Sequence, residues 1–217
     1  MRGLTPWSGD EPLQLLVLGA HPDDIEIGCG GTILRWASEG RIAKVTWVVL
    51  SGTEERADEA RSSADRFLTD ITDRVVMVER FRDGYFPTEG APLKDLFETI
   101  KASVEPDVIL SHDLHDRHQD HRLVGELTWQ TFRDHLVLEY EVPKYDGGSS
   151  APNVFVEVPV WAAEDKARLV VDGFPSQKAR HWFTADTLTS LARLRGIECR
   201  AASGLAEAFT CRKALIV

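Results

Sequence analysis

The sequence predicts an α/β fold in which a mostly parallel, Rossmann-like sheet carries helices on both faces. Two observations support this: apolar runs alternate with stretches of helical periodicity, and several runs are apolar throughout, as in strands buried on both faces. The 217 residues suffice for one large core. We expect a single domain over 1–217, with a core over about 11–142 and a C-terminal extension over about 143–217.

Short apolar runs define the predicted strands. Leu13–Gly19 is almost wholly apolar, and Ala43–Leu50 is β-branched and apolar, which is typical of buried strands. The other predicted strands are Arg74–Val78, Asp107–Leu110, Leu136–Val142 and Val154–Val158.

Helical spacing fills the intervals between these strands. Gly28–Glu39 places Cys29, Ile33 and Trp36 on one side of a helix, and Gly40 follows as a stop signal. The other predicted helices are Thr53–Leu68, Leu93–Val104, Asp120–Asp134, Trp161–Asp172 and Thr187–Gly196, with a loop at Tyr145–Asn153.

Charge and composition restrict the partners and the compartment. The chain has 25 Lys and Arg residues against 35 Asp and Glu residues, a net charge of −10, which argues against binding to nucleic acid. No apolar run approaches the roughly 20 residues of a membrane span. The first 14 residues lack an apolar signal-peptide region, and the three cysteines have no CxxC spacing. We therefore expect a cytoplasmic protein without a membrane partner.

The first candidate site follows the first predicted strand. His21, Asp23 and Asp24 stand there, where ligands bind in open α/β sheets, and Pro22 stiffens the turn. In the alternative interpretation, Asp23 or Asp24 merely caps the next helix.

The glycines at 28, 30 and 31 suggest a nucleotide-binding loop, which we reject. A dinucleotide fingerprint needs its glycines within the turn, but here the turn holds two carboxylates that would repel a pyrophosphate. The glycines are better explained by close approach of the backbone to a neighbouring element.

The second candidate site follows the Asp107–Leu110 strand. Four of the seven histidines and three aspartates lie within 111–121. A solvated loop that caps the next helix is the alternative. Because the loops after two parallel strands meet at one sheet edge, a histidine and a carboxylate from one loop and a histidine from the other can form a three-ligand site. Zinc and ferrous iron both suit such a set.

Two motifs resemble those of one known family. Ala20-His21-Pro22-Asp23-Asp24 and His118-Gln119-Asp120-His121 are similar to the AHPDD and HxDH motifs of the PIG-L/LmbE family of zinc-dependent N-deacetylases. The resemblance covers most of the first 140 residues. It implies that His21, Asp24 and His121 bind Zn²⁺, with Fe²⁺ or another divalent metal as an alternative.

The same resemblance implies catalytic roles. Asp23 matches the general base, His118 the histidine that stabilises the oxyanion or donates a proton, and Asp120 the acid that orients His118. His112 and His115 match no ligand.

Weaker matches suggest substrate contacts. Arg56 resembles an arginine that binds the sugar, and Asp83 resembles an aspartate that contacts sugar hydroxyls. Alternatively, Arg56 pairs with Glu59 on a helix surface and Asp83-Gly84 is an ordinary turn. The short Ser51–Glu55 loop suggests an open pocket.

The expected function is removal of an N-acetyl group from an amino sugar or a soluble N-acetylglucosamine conjugate. The alternatives are an amidase for another N-acyl or thiol-conjugate substrate and a non-catalytic sugar-binding module. The resemblance also implies a possible homo-oligomer, a trimer or a hexamer. Trp129, Trp161 and Trp182 are expected in the core or an interface, although one could line the pocket.

Overall fold

The structure, a computed structural model, describes residues 11–147 and 151–215. The first ten residues and the middle of the predicted loop over Tyr145–Asn153 lie outside the described part. Within the described ranges, every helix is too short or too polar to cross a membrane.

In the described part of the chain, seven strands form one sheet in the order β3-β2-β1-β4-β5-β7-β6. Neighbours among the first five strands are parallel, and β7 runs antiparallel to both β5 and β6. The prediction of a mostly parallel sheet is confirmed. The strands are β1 (Leu13–Gly19), β2 (Ile42–Ser51), β3 (Asp73–Phe81), β4 (Val108–His112), β5 (Leu136–Tyr140), β6 (Val154–Glu157) and β7 (Ala206–Thr210).

Six α-helices cover both faces of this sheet in the described ranges. One apolar cluster joins the sheet to α1, α2 and α5, and a second joins its other face to α3 and α4. Helices on both faces were predicted, and this too is confirmed. The helices are α1 (Asp24–Ser38), α2 (Glu54–Phe67), α3 (Gly90–Ser103), α4 (Gln119–Thr131), α5 (Val160–Gly173) and α6 (Ala185–Cys199).

The strand order creates a switch point between β1 and β4. From β1 the chain moves outward through β2 and β3, and then returns to add β4 and β5 on the other side of β1. The loops after β1 and β4 therefore diverge and leave a crevice at the carboxyl ends of the strands. Both candidate motifs follow these two strands.

Two glycines of α1 allow close packing. A Cβ atom at Gly28 would lie 2.1 Å from the ring of Tyr140, and one at Gly30 would lie 2.7 Å from the ring of Phe67. Real Cβ contacts are not this short, so side chains at these positions would force α1 away from β5 and α2. The close-approach interpretation of these glycines is confirmed.

The strand β7 is an element that the sequence pattern does not predict. Its second residue is the charged Glu207, which argues against a buried strand. The fold buries that carboxylate by pairing it with Lys166 at 2.6 Å and with the backbone N–H groups of Gly31 and Thr32 at 2.9 and 2.7 Å. Satisfied in this way, a charged residue can occupy the interior.

Candidate metal centre

The loop after β1 has a constrained backbone. Asp23 adopts a φ of 95°, in the left-handed region that residues other than glycine rarely enter. It occupies the N-cap position of α1, but its side chain makes no capping hydrogen bond. The interpretation of Asp23 as a simple helix cap is therefore wrong, and its carboxylate pairs instead with Arg56.

The loop after β4 delivers the second motif. His118 is the N-cap of α4, and its Nδ1 atom accepts a hydrogen bond from the N–H of Asp120 at 3.3 Å. The first turn of α4 then carries Asp120 and His121. Because β1 and β4 are adjacent and parallel, this turn meets the loop after β1 at the same sheet edge.

Three side-chain atoms form a nearly equilateral triangle in the crevice. Nδ1 of His21 lies 3.2 Å from Nε2 of His121, and Oδ2 of Asp24 lies 3.3 Å from each of these nitrogens. Tetrahedral coordination at about 2.0–2.2 Å places neighbouring ligand atoms about 3.3–3.6 Å apart. The triangle therefore fits a divalent metal ion in size and in donor chemistry.

The charges around this triangle are already arranged for a cation. Burial opposes ionisation of Asp24, yet the neighbouring His121 holds the pKa of its carboxyl well below the usual range. Burial likewise opposes protonation of His21 and His121, but neighbouring carboxylates raise the pKa of both rings. A metal ion would replace these protons in compensating the buried carboxylate.

Asp23 lies beside the triangle with a different environment. Burial raises the pKa of Asp23 to about 7, against the opposing charge of Arg56, whose Nη2 atom lies 3.1 Å from Oδ2 of Asp23. The same guanidinium contacts the carbonyl of Pro22. The alternative pairing of Arg56 with Glu59 is wrong, because Glu59 accepts hydrogen bonds from the N–H and hydroxyl of Ser176 at 2.8 and 2.6 Å.

The Asp120 carboxylate holds His21, not the ring of His118. One oxygen lies 3.0 Å from Nε2 of His21 and accepts the N–H of Gly84, while the other accepts the N–H of Phe86. This differs from the expectation that the Asp120 carboxylate orients His118. The connection from Asp120 to His118 runs instead through the backbone N–H.

His118 is arranged as a neutral donor. Since its Nδ1 accepts a hydrogen bond, a neutral ring carries its proton on Nε2. Burial, together with the nearby His121 and His21, lowers the pKa of His118 and favours this neutral form. Nitrogens of the three histidines lie within 4.8 Å of one another, so His118 borders the metal triangle.

His112 belongs to the same cluster, although the sequence motifs assign it no role. It is fully buried, its Nε2 accepts the N–H of Ala20 at 2.9 Å, and its ring stacks on His121 with centroids 3.9 Å apart. Burial and the charge of His121 lower the pKa of His112 to about 3. His112 therefore acts as a neutral support for the first loop. The sequence feature that could have identified His112 is its position as the last residue of β4, at the sheet edge where the site lies.

Asp116 is a second residue that the motifs do not identify. Its Oδ2 atom lies 3.0 Å from Nδ1 of His121 and is also contacted by the ammonium of Lys144. Its Oδ1 accepts the N–H of His118 at 2.8 Å. Asp116 thus fixes the ring of His121 and the backbone before α4.

The remaining sequence candidates lie at the rim or outside. Oδ1 of Asp83 lies 3.1 Å from Nε2 of His21, and its side chain is 75% exposed, which leaves it open to a ligand. His115 is exposed and contacts Arg212, away from the triangle.

A family model and a relative in Escherichia coli are similar to this chain in sequence. The family described as PIG-L: GlcNAc-PI de-N-acetylase matches residues 16–132, more than half of the chain. An Escherichia coli (strain K12) protein named "Uncharacterized deacetylase YaiS" is 33% identical over 152 residues, 66% of this chain and 81% of that protein.

Solved structures share the fold. N,N'-diacetylchitobiose deacetylase from Pyrococcus horikoshii has a TM-score of 0.70 at 20% identity, over 91% of this chain and 83% of that one. GalB, a 4-carboxy-2-hydroxymuconate hydratase from Pseudomonas putida KT2440, has a TM-score of 0.70 at 18% identity, over 94% and 98% of the two chains. The fold alone therefore does not determine the reaction. With both motifs gathered in one crevice, the chain belongs to the PIG-L family of de-N-acetylases.

Proposed function

We propose that this protein is a metal-dependent hydrolase that removes the N-acetyl group from an amino sugar or a soluble N-acetylglucosamine-type conjugate. The observation that supports this best is the triangle of His21, Asp24 and His121 with Asp23 and His118 beside it. A binding module needs no buried acid with a pKa of about 7 next to a metal site, so this arrangement favours catalysis over sugar binding alone.

The proposed metal ligands are His21, Asp24 and His121. Two imidazoles and one carboxylate suit Zn²⁺, and the same set accommodates Fe²⁺. Such an ion lowers the pKa of water to about 7 and polarises a carbonyl group.

Asp23 is the proposed general base. It takes the proton of the attacking water as the new carbon–oxygen bond forms at the acetyl carbonyl. A pKa of about 7 suits this role near neutral pH, because the carboxylate is ionised in part of the molecules and is basic enough to accept a proton. Arg56 orients this carboxylate through its contact at 3.1 Å.

His118 is the proposed donor to the tetrahedral oxyanion. Its Nε2–H can hydrogen-bond to the developing negative charge, an effect worth about 3–4 kcal/mol for a well-placed donor. When the carbon–nitrogen bond breaks, the leaving amine needs a proton. Asp23 returns the proton that it took from the water, whereas His118 could supply one only from its doubly protonated form. Acetate and the free amine are the products.

Arg56 and Asp83 are the proposed contacts to the sugar. Asp83 is exposed at the rim beside His21, where its carboxylate can accept hydrogen bonds from ring hydroxyls. Arg56 is part of the wall next to Asp23, so it can bind substrate and orient the base from one position. Only Gly52 and Thr53 separate β2 from α2, which leaves this side of the crevice open to a conjugate.

Acetate release from a panel of N-acetylated sugars and conjugates tests the proposal. We expect activity with at least one amino sugar, about one divalent ion per chain, and loss of activity with a strong chelator that is restored by adding metal. Asp95→Asn, at an exposed carboxylate on α3, serves as the control for substitution of an aspartate.

Two results would contradict the proposal. Metal-free protein with full activity would remove the metal from the mechanism. Preference for an unrelated N-acyl substrate over every amino sugar would favour the amidase alternative.

A further inference from the structure

A cluster of three rings lies at the β5 side of the crevice. The ring of Tyr145, in the loop after β5, has its centroid 5.7 Å from that of His181 and 6.4 Å from that of Trp182. Tyr145 is 68% exposed and His181 is also exposed. We call Tyr145, His181 and Trp182 the aromatic cluster.

Two contacts attach the loop of Tyr145 to the metal centre. The ammonium of Lys144 contacts the Asp116 oxygen that lies 3.0 Å from the ring of His121. On the other side of Tyr145, the carbonyl of Asp146 accepts a hydrogen bond from Arg117 at 3.0 Å. Because both anchors belong to the loop that carries the second motif, Tyr145 stands beside the mouth of the crevice.

One member of the aromatic cluster, Trp182, is fixed by the hydrophobic core. Trp182 packs against the larger apolar cluster, and its ring meets Phe183 edge-on at 5.6 Å. Tyr145 in turn stands nearly perpendicular to Trp182, at 87°. Because Tyr145 packs against a fixed side chain, its exposed ring loses little conformational entropy when a ligand binds to it.

We propose that the aromatic cluster is a subsite for a second carbohydrate ring, attached to the acetamido sugar that occupies the crevice. This rests on the proposed function. Aromatic faces suit the C–H faces of a sugar, while the Tyr145 hydroxyl and the His181 ring stay in water as hydrogen-bonding groups.

The surroundings favour a carbohydrate over an aliphatic chain. Arg117 and Arg180 are exposed next to the ring-bearing segments, so polar groups border the rings. A lipid or acyl chain needs a continuous apolar channel, whereas a sugar ring presents both apolar faces and hydroxyls to such a mixed surface.

The test compares kcat/KM for N-acetylglucosamine with that for an N-acetylglucosamine disaccharide. Tyr145→Ala should lower the value for the disaccharide by about 3- to 10-fold, mainly through KM, and keep the value for the monosaccharide within about twofold. Tyr145→Phe, which keeps the ring, should restore most of the loss. Trp161→Ala is the matched control, because Trp161 is another exposed aromatic residue, on α5.

Equal losses on both substrates, or no loss on either, would overturn the subsite. A loss that is larger for a long-chain N-acyl amine than for the disaccharide would assign the cluster to an aliphatic group instead. If the wild type releases acetate from neither sugar, the proposed function fails. Calorimetric binding of the disaccharide to the wild type and to Tyr145→Ala then tests the subsite directly, and equal affinity would overturn it.

Discussion

Oδ2 of Asp116 lies 3.0 Å from Nδ1 of His121, on the side of the ring opposite Nε2, the atom that lies close to Asp24 and His21. A carboxylate in this position accepts a hydrogen bond from Nδ1–H. This keeps the proton on Nδ1 and leaves the Nε2 lone pair free to bind a metal ion. The burial of Asp116 penalises its charge, but His121 and Lys144 hold the pKa of its carboxyl well below the usual range.

Asp116→Ala should therefore weaken metal binding by about 10- to 100-fold. Asp116→Asn should lose less, because its amide oxygen can still accept the Nδ1 proton. Titration of metal into chelator-treated protein measures both. Asp134→Ala is the matched control, since Asp134 makes a similar contact with His135 at 3.1 Å on the surface. Equal affinities for Asp116→Ala and Asp134→Ala would contradict the role of Asp116.

Substitutions at the neighbouring residues Asp23 and Asp24 should impair activity for different reasons. Asp24→Ala removes a corner of the metal triangle and should lose the metal. Asp23→Asn keeps the shape and removes the base, so it should retain the metal and lower kcat by about 10²–10⁴-fold. Metal analysis and steady-state kinetics on the same preparations separate the two effects.

The assignment of Asp23 would be wrong if Asp23→Asn stayed within a few-fold of the wild type. Loss of metal from Asp23→Asn but not from Asp24→Ala would mean that the two roles are exchanged.

Sequence reasoning located this site because the motifs follow strands that become neighbours. The histidine and two aspartates after β1 and the HxDH segment after β4 are each recognisable locally, and the parallel β1–β4 pairing brings them together. The alternation of strands and helices predicts a parallel sheet, whereas the choice of His21, Asp24 and His121 as ligands came from the resemblance of the two motifs to those of the family.

Other contacts depend on the packing of distant segments. The Asp120 carboxylate accepts N–H groups of Gly84 and Phe86, from a loop that precedes it by more than 30 residues, and these contacts turn it toward His21. Likewise, the buried Glu207 of β7 is compensated by Lys166 on α5 and by two backbone N–H groups of α1. Neither partner is visible in a local pattern.

Glu26 should make stability depend on pH. It is buried in α1, and its carboxyl oxygens have no hydrogen-bond partner within 11–147 and 151–215. Burial raises the pKa of Glu26 from 4.5 to about 8. The folded protein therefore binds this proton more tightly than the unfolded chain, and the resulting stability is present below pH 4.5 and is lost as the pH rises to about 8.

Glu26→Gln should remove this loss, so its free energy of unfolding should exceed that of the wild type by an amount that grows across this range. Urea denaturation at several pH values measures the difference. Glu55→Gln, at an exposed position of α2, should follow the wild-type profile. Parallel profiles for Glu26→Gln and the wild type would show that Glu26 does not carry the effect.

Arg56 and Asp83 should contribute to substrate binding to different degrees. Asp83 is exposed, and among the triangle residues it contacts only His21, at Nε2 and not at the Nδ1 atom of the triangle. Asp83→Ala should therefore raise KM while metal content stays the same. Arg56 contacts Asp23, so Arg56→Ala should lower kcat as well as raise KM, because the base loses its orienting partner. Kinetics with an N-acetylglucosamine conjugate, together with metal analysis and a thermal melt, distinguish these outcomes.

Arg61→Ala, on the same helix but paired with the exposed Asp58, should leave kcat and KM unchanged. Full activity of Asp83→Ala and Arg56→Ala on a substrate that the wild type turns over would refute both sugar contacts, whereas loss of metal from either variant would place that residue in the support of the metal site.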